Sequence, residues 1–168
     1  LLTVFLVGDG EAEPGPLDAA WNANRFVNPA RDGAVLSVLH LNGYKISGTT
    51  ILGRMSNSEV KAFFESHGHD PLFVDAESHE EAHRQMQDAF SRAHTRIRDI
   101  QDRARNGQYI VAPRWPVIVM RTPKGLGGLK DLNGEKVTGN HISHQIVFKN
   151  LHSSPQHIQK LEEWLKSY

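Results

Sequence analysis

Asp9 stands between two glycines at the end of the apolar run LLTVFLVGDG, and Asn42 closes a second apolar run, Ala34 to Leu41. A carboxylate and an amide oxygen are hard donors of the kind Mg²⁺ takes. Flanking glycines can turn sharply and let main-chain N–H groups approach an anion closely. Together these residues suit a diphosphate held through a divalent cation. They lie 33 positions apart (42 minus 9), which leaves room for a strand end, a helix and a parallel return strand. Both donors then fall at the carboxyl ends of neighbouring strands, where open α/β sheets bind ligands. On the residues alone a second reading stays open, because Gly-Asp-Gly and Asn42-Gly43 are also common turn punctuation.

Gly-Asp-Gly followed about thirty residues later by Asn is the spacing of the thiamine diphosphate motif. The surrounding stretch GDGEAEPGPLDAAWNANRFVNPARDGAVLSVLHLNGYKI resembles the phosphoketolases, and the likeness continues through HGHDPLFVDA, PRWPVIVMRTPKG, SHQ and LEEWLKSY, over essentially the whole chain. The sequence differs from the family pattern at Pro14, Leu126 and the run Asn140-His141-Ile142. What the resemblance implies is the later part of an N-terminal thiamine-diphosphate-binding domain. Asp9 and Asn42 would ligate Mg²⁺ through their side chains and Tyr44 through its carbonyl, with Gly8, Gly10 and Glu11 flanking the diphosphate. The implied reaction is cleavage of xylulose 5-phosphate, with fructose 6-phosphate as a further candidate, by inorganic phosphate to acetyl phosphate and an aldose phosphate. A transketolase-like transfer of the two-carbon unit, or a truncated non-catalytic partner domain, are the alternatives.

Lys124 to Gly134, KGLGGLKDLNG, holds four glycines without helical or strand periodicity. By itself such a stretch reads as an exposed hairpin or as a mobile segment closing over a site, and Lys124 as an ordinary surface lysine. The resemblance implies more: Lys124 and His144, 20 positions apart (144 minus 124), match the Lys and His that phosphoketolases bring to the active site. A fixed positive charge suits a developing oxyanion, and an imidazole can exchange protons near neutral pH. His40 stands at a strand end from which it could face the cofactor, and no role is assigned to it.

His79-Glu80-Glu81-Ala82-His83 is a literal H-E-x-x-H, a zinc-peptidase pattern when it lies on a buried helix. Here it falls in the first turn of a polar run, where Ser78 and Glu81 form a capping pair. The expected role is a solvated helix start without zinc.

The elements that must position these residues alternate. The first apolar run predicts a buried strand near the middle of a sheet. Pro14 to Phe26 predicts a helix packed through Trp21 and Phe26, and Ala34 to Leu41 a second strand. A capping box, Ser56 to Glu59, opens a helix with Val60, Phe63 and Phe64 on one side, and Asp70 to Asp75 predicts a short strand. Ala82, Met86, Ala89, Ala93, Ile97, Ile100 and Ala104 recur at helical steps in a long amphipathic helix ending near Asn106-Gly107. Pro116 to Arg121 predicts a strand buried on both faces, and Ser154-Pro155 starts a final helix through Leu161 and Trp164. The fold class is α/β, a mostly parallel sheet flanked by helices, of the thiamine-diphosphate-binding kind.

Composition sets the frame. A chain of 168 residues predicts a single domain and can bury roughly 70% of its unfolded surface. Nineteen basic and nineteen acidic residues balance, so no nucleic acid or anionic membrane is implied as partner. The absence of Cys excludes disulfides, thiol catalysis and thiolate metal sites, and is compatible with the cytoplasm. The first apolar run is too short to span a membrane. Because residue 1 is Leu and leads straight into a strand, the chain reads as a fragment of a longer one. The resemblance implies that a pyrimidine-binding domain lies outside it, and that the complete enzyme is a homo-oligomer acting on a sugar phosphate and inorganic phosphate.

Overall fold

A computed structural model describes residues 1–149 and 151–167. Asn150 and Tyr168, the latter closing the LEEWLKSY stretch, lie outside the described residues. Four strands, β1 (Leu2–Gly8), β2 (Ala34–Leu41), β3 (His69–Asp75) and β4 (Trp115–Arg121), form one parallel sheet in the order β1-β2-β4-β3. Gly8 pairs with His40, Leu41 with Arg121, and Asp75 with Arg121. The four strands therefore end together, and the loops that follow them share one edge.

Side chains alternate across the strands with a period of two, as β geometry requires. On β2, Leu36 and Val38 point into one cluster, while Leu39 and Leu41 point into the other. The first face is covered by α5 (His79–Arg105) through Ala89, Ala93, Ile97 and Ile100, the positions that the helical spacing marks out. The opposite face carries α1 (Asp9–Ala12), α2 (Gly15–Ala20), α3 (Ile51–Arg54) and α4 (Asn57–Ser66), whose Ala12, Leu52, Val60 and Phe64 are buried. Trp21 is locked there edge-on to Phe64, ring centroids 5.0 Å apart, and its indole N–H donates to the Ala12 carbonyl at 3.3 Å. Removing Phe64 by Phe64→Ala would cost about 3–5 kcal/mol.

Helix starts follow their caps. At Ser56 the capping box is complete, with the Ser56 hydroxyl and the Glu59 carboxylate each reaching the other residue's N–H. At Ser78 only half of it forms: Ser78 accepts from Glu81 N, but Glu81 turns its carboxylate to Glu77 N instead. Two elements differ from the expectation. The segment from Pro14 to Phe26 is not one helix but α2, a turn at Trp21 and a 3₁₀ turn at Ala23–Phe26; burying Trp21 breaks the helix, and Phe26 ends up exposed. β1 is an edge strand, and Leu2, Val4, Phe5 and Leu6 are exposed rather than buried. The glycine-rich stretch ends in a small hairpin, one of its two expected readings: β5 (Asp131–Leu132) pairs with β6 (Glu135–Lys136), turning through Asn133 and Gly134, both at positive φ. The last helix, α6 (Pro155–Leu165), starts at Ser154 as expected.

Candidate functional site

At the shared strand edge, Asp9 is not in a loop but opens α1, and neither Gly8 nor Gly10 uses a positive φ. The glycines therefore do not serve for a sharp turn. What the local structure does is bury the Asp9 side chain, which is 1% exposed. A buried carboxylate must have partners, and this one has three. Oδ1 accepts from Gly10 N at 3.0 Å, while Oδ2 accepts from Gly43 N at 2.7 Å and from the Thr50 hydroxyl at 2.9 Å. The bond to Gly43 N ties the end of β1 to the loop after β2, so Asp9 and the Asn42-Gly43-Tyr44 turn are brought together as their spacing suggests.

Asn42 and Tyr44 present oxygens in the same place. Asn42 Oδ1 accepts from Tyr44 N at 3.1 Å, which fixes the amide. The Lys124 ammonium donates to the Tyr44 carbonyl at 2.9 Å and approaches Asn42 Oδ1 at 3.5 Å. Two of the three expected ligands thus already share one cation, carried on the segment after β4. A carboxylate, an amide oxygen and a main-chain carbonyl make a hard donor set that could hold a divalent ion such as Mg²⁺. Glu11 is exposed, with its Oε2 3.9 Å from where a Cβ on Gly8 would lie.

Three residues that the sequence did not single out, Thr50, Gly53 and Glu13, hold this arrangement. Thr50 is fully buried; its hydroxyl donates to Asp9, accepts from Gly53 N, and caps α3. Gly53 packs onto Gly43 so closely that a Cβ would lie 2.5 Å from the Gly43 Cα. Glu13 accepts from Ile51 N at 2.7 Å and forms an ion pair with Lys45, fastening the 45–51 loop to the start of the chain. The Thr49-Thr50 pair before an apolar turn was a visible cap signal, but its link to Asp9 was not.

His40, half-buried at the end of β2, is hydrogen-bonded through Nε2 to the Thr122 hydroxyl at 2.8 Å. Burial pushes its pKa below the ordinary value; the Asp9 charge opposes this and the Lys124 charge adds to it. An open cleft of about 540 Å³ runs along the strand ends, lined by Asn42, Tyr44, Asp75, Arg121, Thr122 and Lys136 among others. Arg121 is fixed there by bonds to Asn57 Oδ1 and the Met55 carbonyl.

His144 lies on a 3₁₀ turn, His141–His144, and is exposed. Its segment is fastened to that of Lys124: Gly139 N donates to the Lys124 carbonyl at 2.7 Å, and Gly125 sits so close to Ser143 that a Cβ would lie 2.6 Å from the Ser143 Cβ. No hydrogen bond joins the His144 ring itself to Lys124 or Asp9 among the described residues. His79 and His83 are exposed at the start of α5, and His79 packs on Gly127 of the glycine-rich loop. Among the described residues no group of three His, Cys, Asp or Glu side chains is placed to hold a metal, and no helix is long and apolar enough to cross a membrane.

A parallel sheet flanked by helices, with an acid, an amide and a lysine at its carboxyl edge, places the chain in the α/β class. The whole chain, residues 1–168, matches the model of the XFP N-terminal domain, and the chain belongs to that family. It is 50% identical to a probable phosphoketolase of Bradyrhizobium diazoefficiens and 48% identical to one of Synechocystis, in each case over all of this chain. It is 46% identical to probable phosphoketolase 2 of Rhizobium meliloti, again over the full chain. The chain spans about a fifth of the length of these curated relatives, 21% or 22% of each.

Proposed function

We propose that these residues are the diphosphate-binding segment of a thiamine-diphosphate- and Mg²⁺-dependent phosphoketolase. The relatives' names support the activity, and the donor set at the sheet edge supports the cofactor. The observation that carries the reading is the convergence of buried Asp9, Asn42 Oδ1 and the Tyr44 carbonyl, with the last two already drawn onto a cation. Those oxygens fit Mg²⁺ in type, and it would sit among Asp9, Asn42 and Tyr44. Gly8, Gly10 and Glu11 would flank the diphosphate.

Bound thiamine diphosphate supplies a carbanion-type nucleophile and electron sink for ketose cleavage. The chain's own residues do the rest. Asp9, held by Gly43 N and Thr50, keeps its charge turned to the strand edge and fixes the metal's position. Lys124 offers a permanent positive charge beside that seat, suited to an oxyanion or a phosphate oxygen. His144 holds or delivers a proton to a departing hydroxyl. The substrates are xylulose 5-phosphate, with fructose 6-phosphate as the second candidate, and inorganic phosphate; the products are acetyl phosphate and an aldose phosphate. The pyrimidine ring is bound by a domain outside these residues, and the complete enzyme works as a homo-oligomer in the cytoplasm.

The test is cofactor retention. Asp9→Ala in the complete protein should abolish binding of thiamine diphosphate with Mg²⁺ by calorimetry, and acetyl phosphate formation with it. Wild-type cofactor affinity in Asp9→Ala would overturn the reading.

A further inference from the structure

The Lys124 ammonium lies on two of the three oxygens that the proposed function gives to Mg²⁺. It donates to the Tyr44 carbonyl at 2.9 Å and approaches Asn42 Oδ1 at 3.5 Å. Both acceptors are neutral. An ammonium is strongly hydrated by preference, and on this half-buried lysine the two oxygens take over part of that hydration shell, as they would for a metal ion. The side chain gathers them around one positive charge.

Lys124 and a divalent ion cannot both keep this position. Asn42 Oδ1 already accepts from Tyr44 N at 3.1 Å and faces the ammonium as well, and an amide oxygen has two lone pairs. A metal on that oxygen takes the place of one of the two donors, and the longer contact, to Lys124, is the weaker. At the Tyr44 carbonyl the conflict is one of charge. Mg²⁺ binds oxygen at about 2.0–2.1 Å, so an ion sharing that carbonyl would stand within about 5 Å of the ammonium, inside the screening length of about 8 Å.

The group free to move is the side chain rather than the segment that carries it. The Lys124 carbonyl accepts from Gly139 N at 2.7 Å. The next residue, Gly125, has φ +75°, and a Cβ there would lie 2.6 Å from the Ser143 Cβ. The main chain is thus tied to the 139–143 loop, while the flexible four-carbon stem lets the ammonium swing.

We infer that Lys124 is an internal stand-in for the metal: its ammonium holds the Asn42 and Tyr44 oxygens together until a divalent ion binds, and the ion displaces it from the Tyr44 carbonyl. The inference rests on the cofactor reading and adds a regulation to it. Before loading, the lysine charge is engaged by the protein's own oxygens. After loading, it is released for an anionic oxygen of the substrate. The charge that suits an oxyanion is therefore presented only by a site that already holds its metal.

Crystals of the complete protein prepared without divalent ions are compared with crystals soaked in Mn²⁺ and thiamine diphosphate, the manganese being located at its absorption edge. Lys124 Nζ should lie within hydrogen-bond distance of the Tyr44 carbonyl in the first. In the second it should lie beyond about 4 Å, past any hydrogen bond, with manganese on Asn42 and Tyr44. In solution, Mn²⁺ alone is titrated by electron paramagnetic resonance, so that contacts to the diphosphate do not enter. Lys124→Met should bind it about 10-fold more tightly than wild type, the scale of a hydrogen bond to a charged group. Manganese on both oxygens with Lys124 still bonded to Tyr44 would overturn this inference and leave the cofactor reading standing. So would a lysine away from Tyr44 in the metal-free crystals, or an unchanged or weaker Mn²⁺ affinity in Lys124→Met. Manganese absent from these oxygens would overturn both.

Discussion

The ammonium of Lys124 lies 2.9 Å from the main-chain carbonyl of Tyr44, although 80 positions separate the two residues. That contact carries the segment after β4 across to the loop after β2 and sets a positive charge beside Asn42. It gives Lys124 a defined seat where the sequence alone offered a surface lysine. On the proposed reading we expect Lys124→Ala in the complete enzyme to lower kcat and to weaken the cofactor, because a charge beside the proposed diphosphate seat is lost. His144→Ala should lower kcat by about 10²- to 10⁴-fold with little change in cofactor affinity. Steady-state kinetics and calorimetry on both variants check this; a wild-type kcat in either removes that residue from the reaction.

Thr50 is the residue to change if the buried Asp9 carboxylate is to be disturbed without removing it. Thr50→Val keeps the shape but leaves Oδ2 of Asp9 with one partner fewer and Gly53 N without its cap. The cost should be about 1–3 kcal/mol in unfolding free energy, with weaker Mg²⁺-dependent cofactor binding. Thr50→Ser should recover most of both. Denaturation curves showing Thr50→Val as stable as wild type would count against the role given to this hydroxyl.

Stability should fall on mild acidification. His40 and His69 both lie below the ordinary imidazole value of 6.5, chiefly because burial disfavours the charged ring. Below that pH the unfolded chain takes up protons that the folded one resists, so the unfolded state gains. The contribution is complete above about pH 6.5 and is lost as the pH drops through the lowered folded values. Urea midpoints between pH 7.5 and 5 should decline, and His69→Gln should flatten the decline. An unchanged slope in that variant would show that its burial is not the cause.

The H-E-x-x-H run should prove inert. Replacing His79 and His83 by Ala should leave activity near normal, and zinc should not copurify with the protein. Gly127→Ala should do more harm than either, because Gly127 lies at φ +85° with the His79 ring where its Cβ would go. The left-handed backbone alone costs about 1–2 kcal/mol. Metal analysis and thermal melts of the three variants distinguish these outcomes; stoichiometric zinc would restore the peptidase reading.

Strand β1 invites association. Among the described residues no strand pairs with its outer edge, and Val4 and Leu6 are 51% and 67% exposed, the features of a strand that pairs with another chain. The 168-residue chain by itself should therefore self-associate with rising concentration, and Leu6→Lys should suppress this. On the proposed reading, in which another domain binds the pyrimidine ring, it should also form no acetyl phosphate by itself. Light scattering and a product assay test both statements.

Local pattern was enough to place most elements. The period-two run Ala34 to Leu41, the complete box at Ser56 and the helical steps from Ala89 to Ile100 each act through neighbours within a turn or two, so the sequence displays them directly. That Asp9 lies at the same sheet edge as the turn after β2, where its carboxylate meets Gly43 N, was legible for a related reason: each apolar run ends there, and two parallel strands joined by one crossover bring their ends together. Tertiary structure decided what depends on distant partners. Trp21 broke its helix because its ring is buried against Phe64 and bonded to Ala12. β1 became an edge strand because strand order, which no local period encodes, placed β4 on the far side of β2. Thr50 became the support of Asp9 across 41 positions, and Lys124 found Tyr44, through contacts that the folded sheet creates and that leave no trace in the residues on either side.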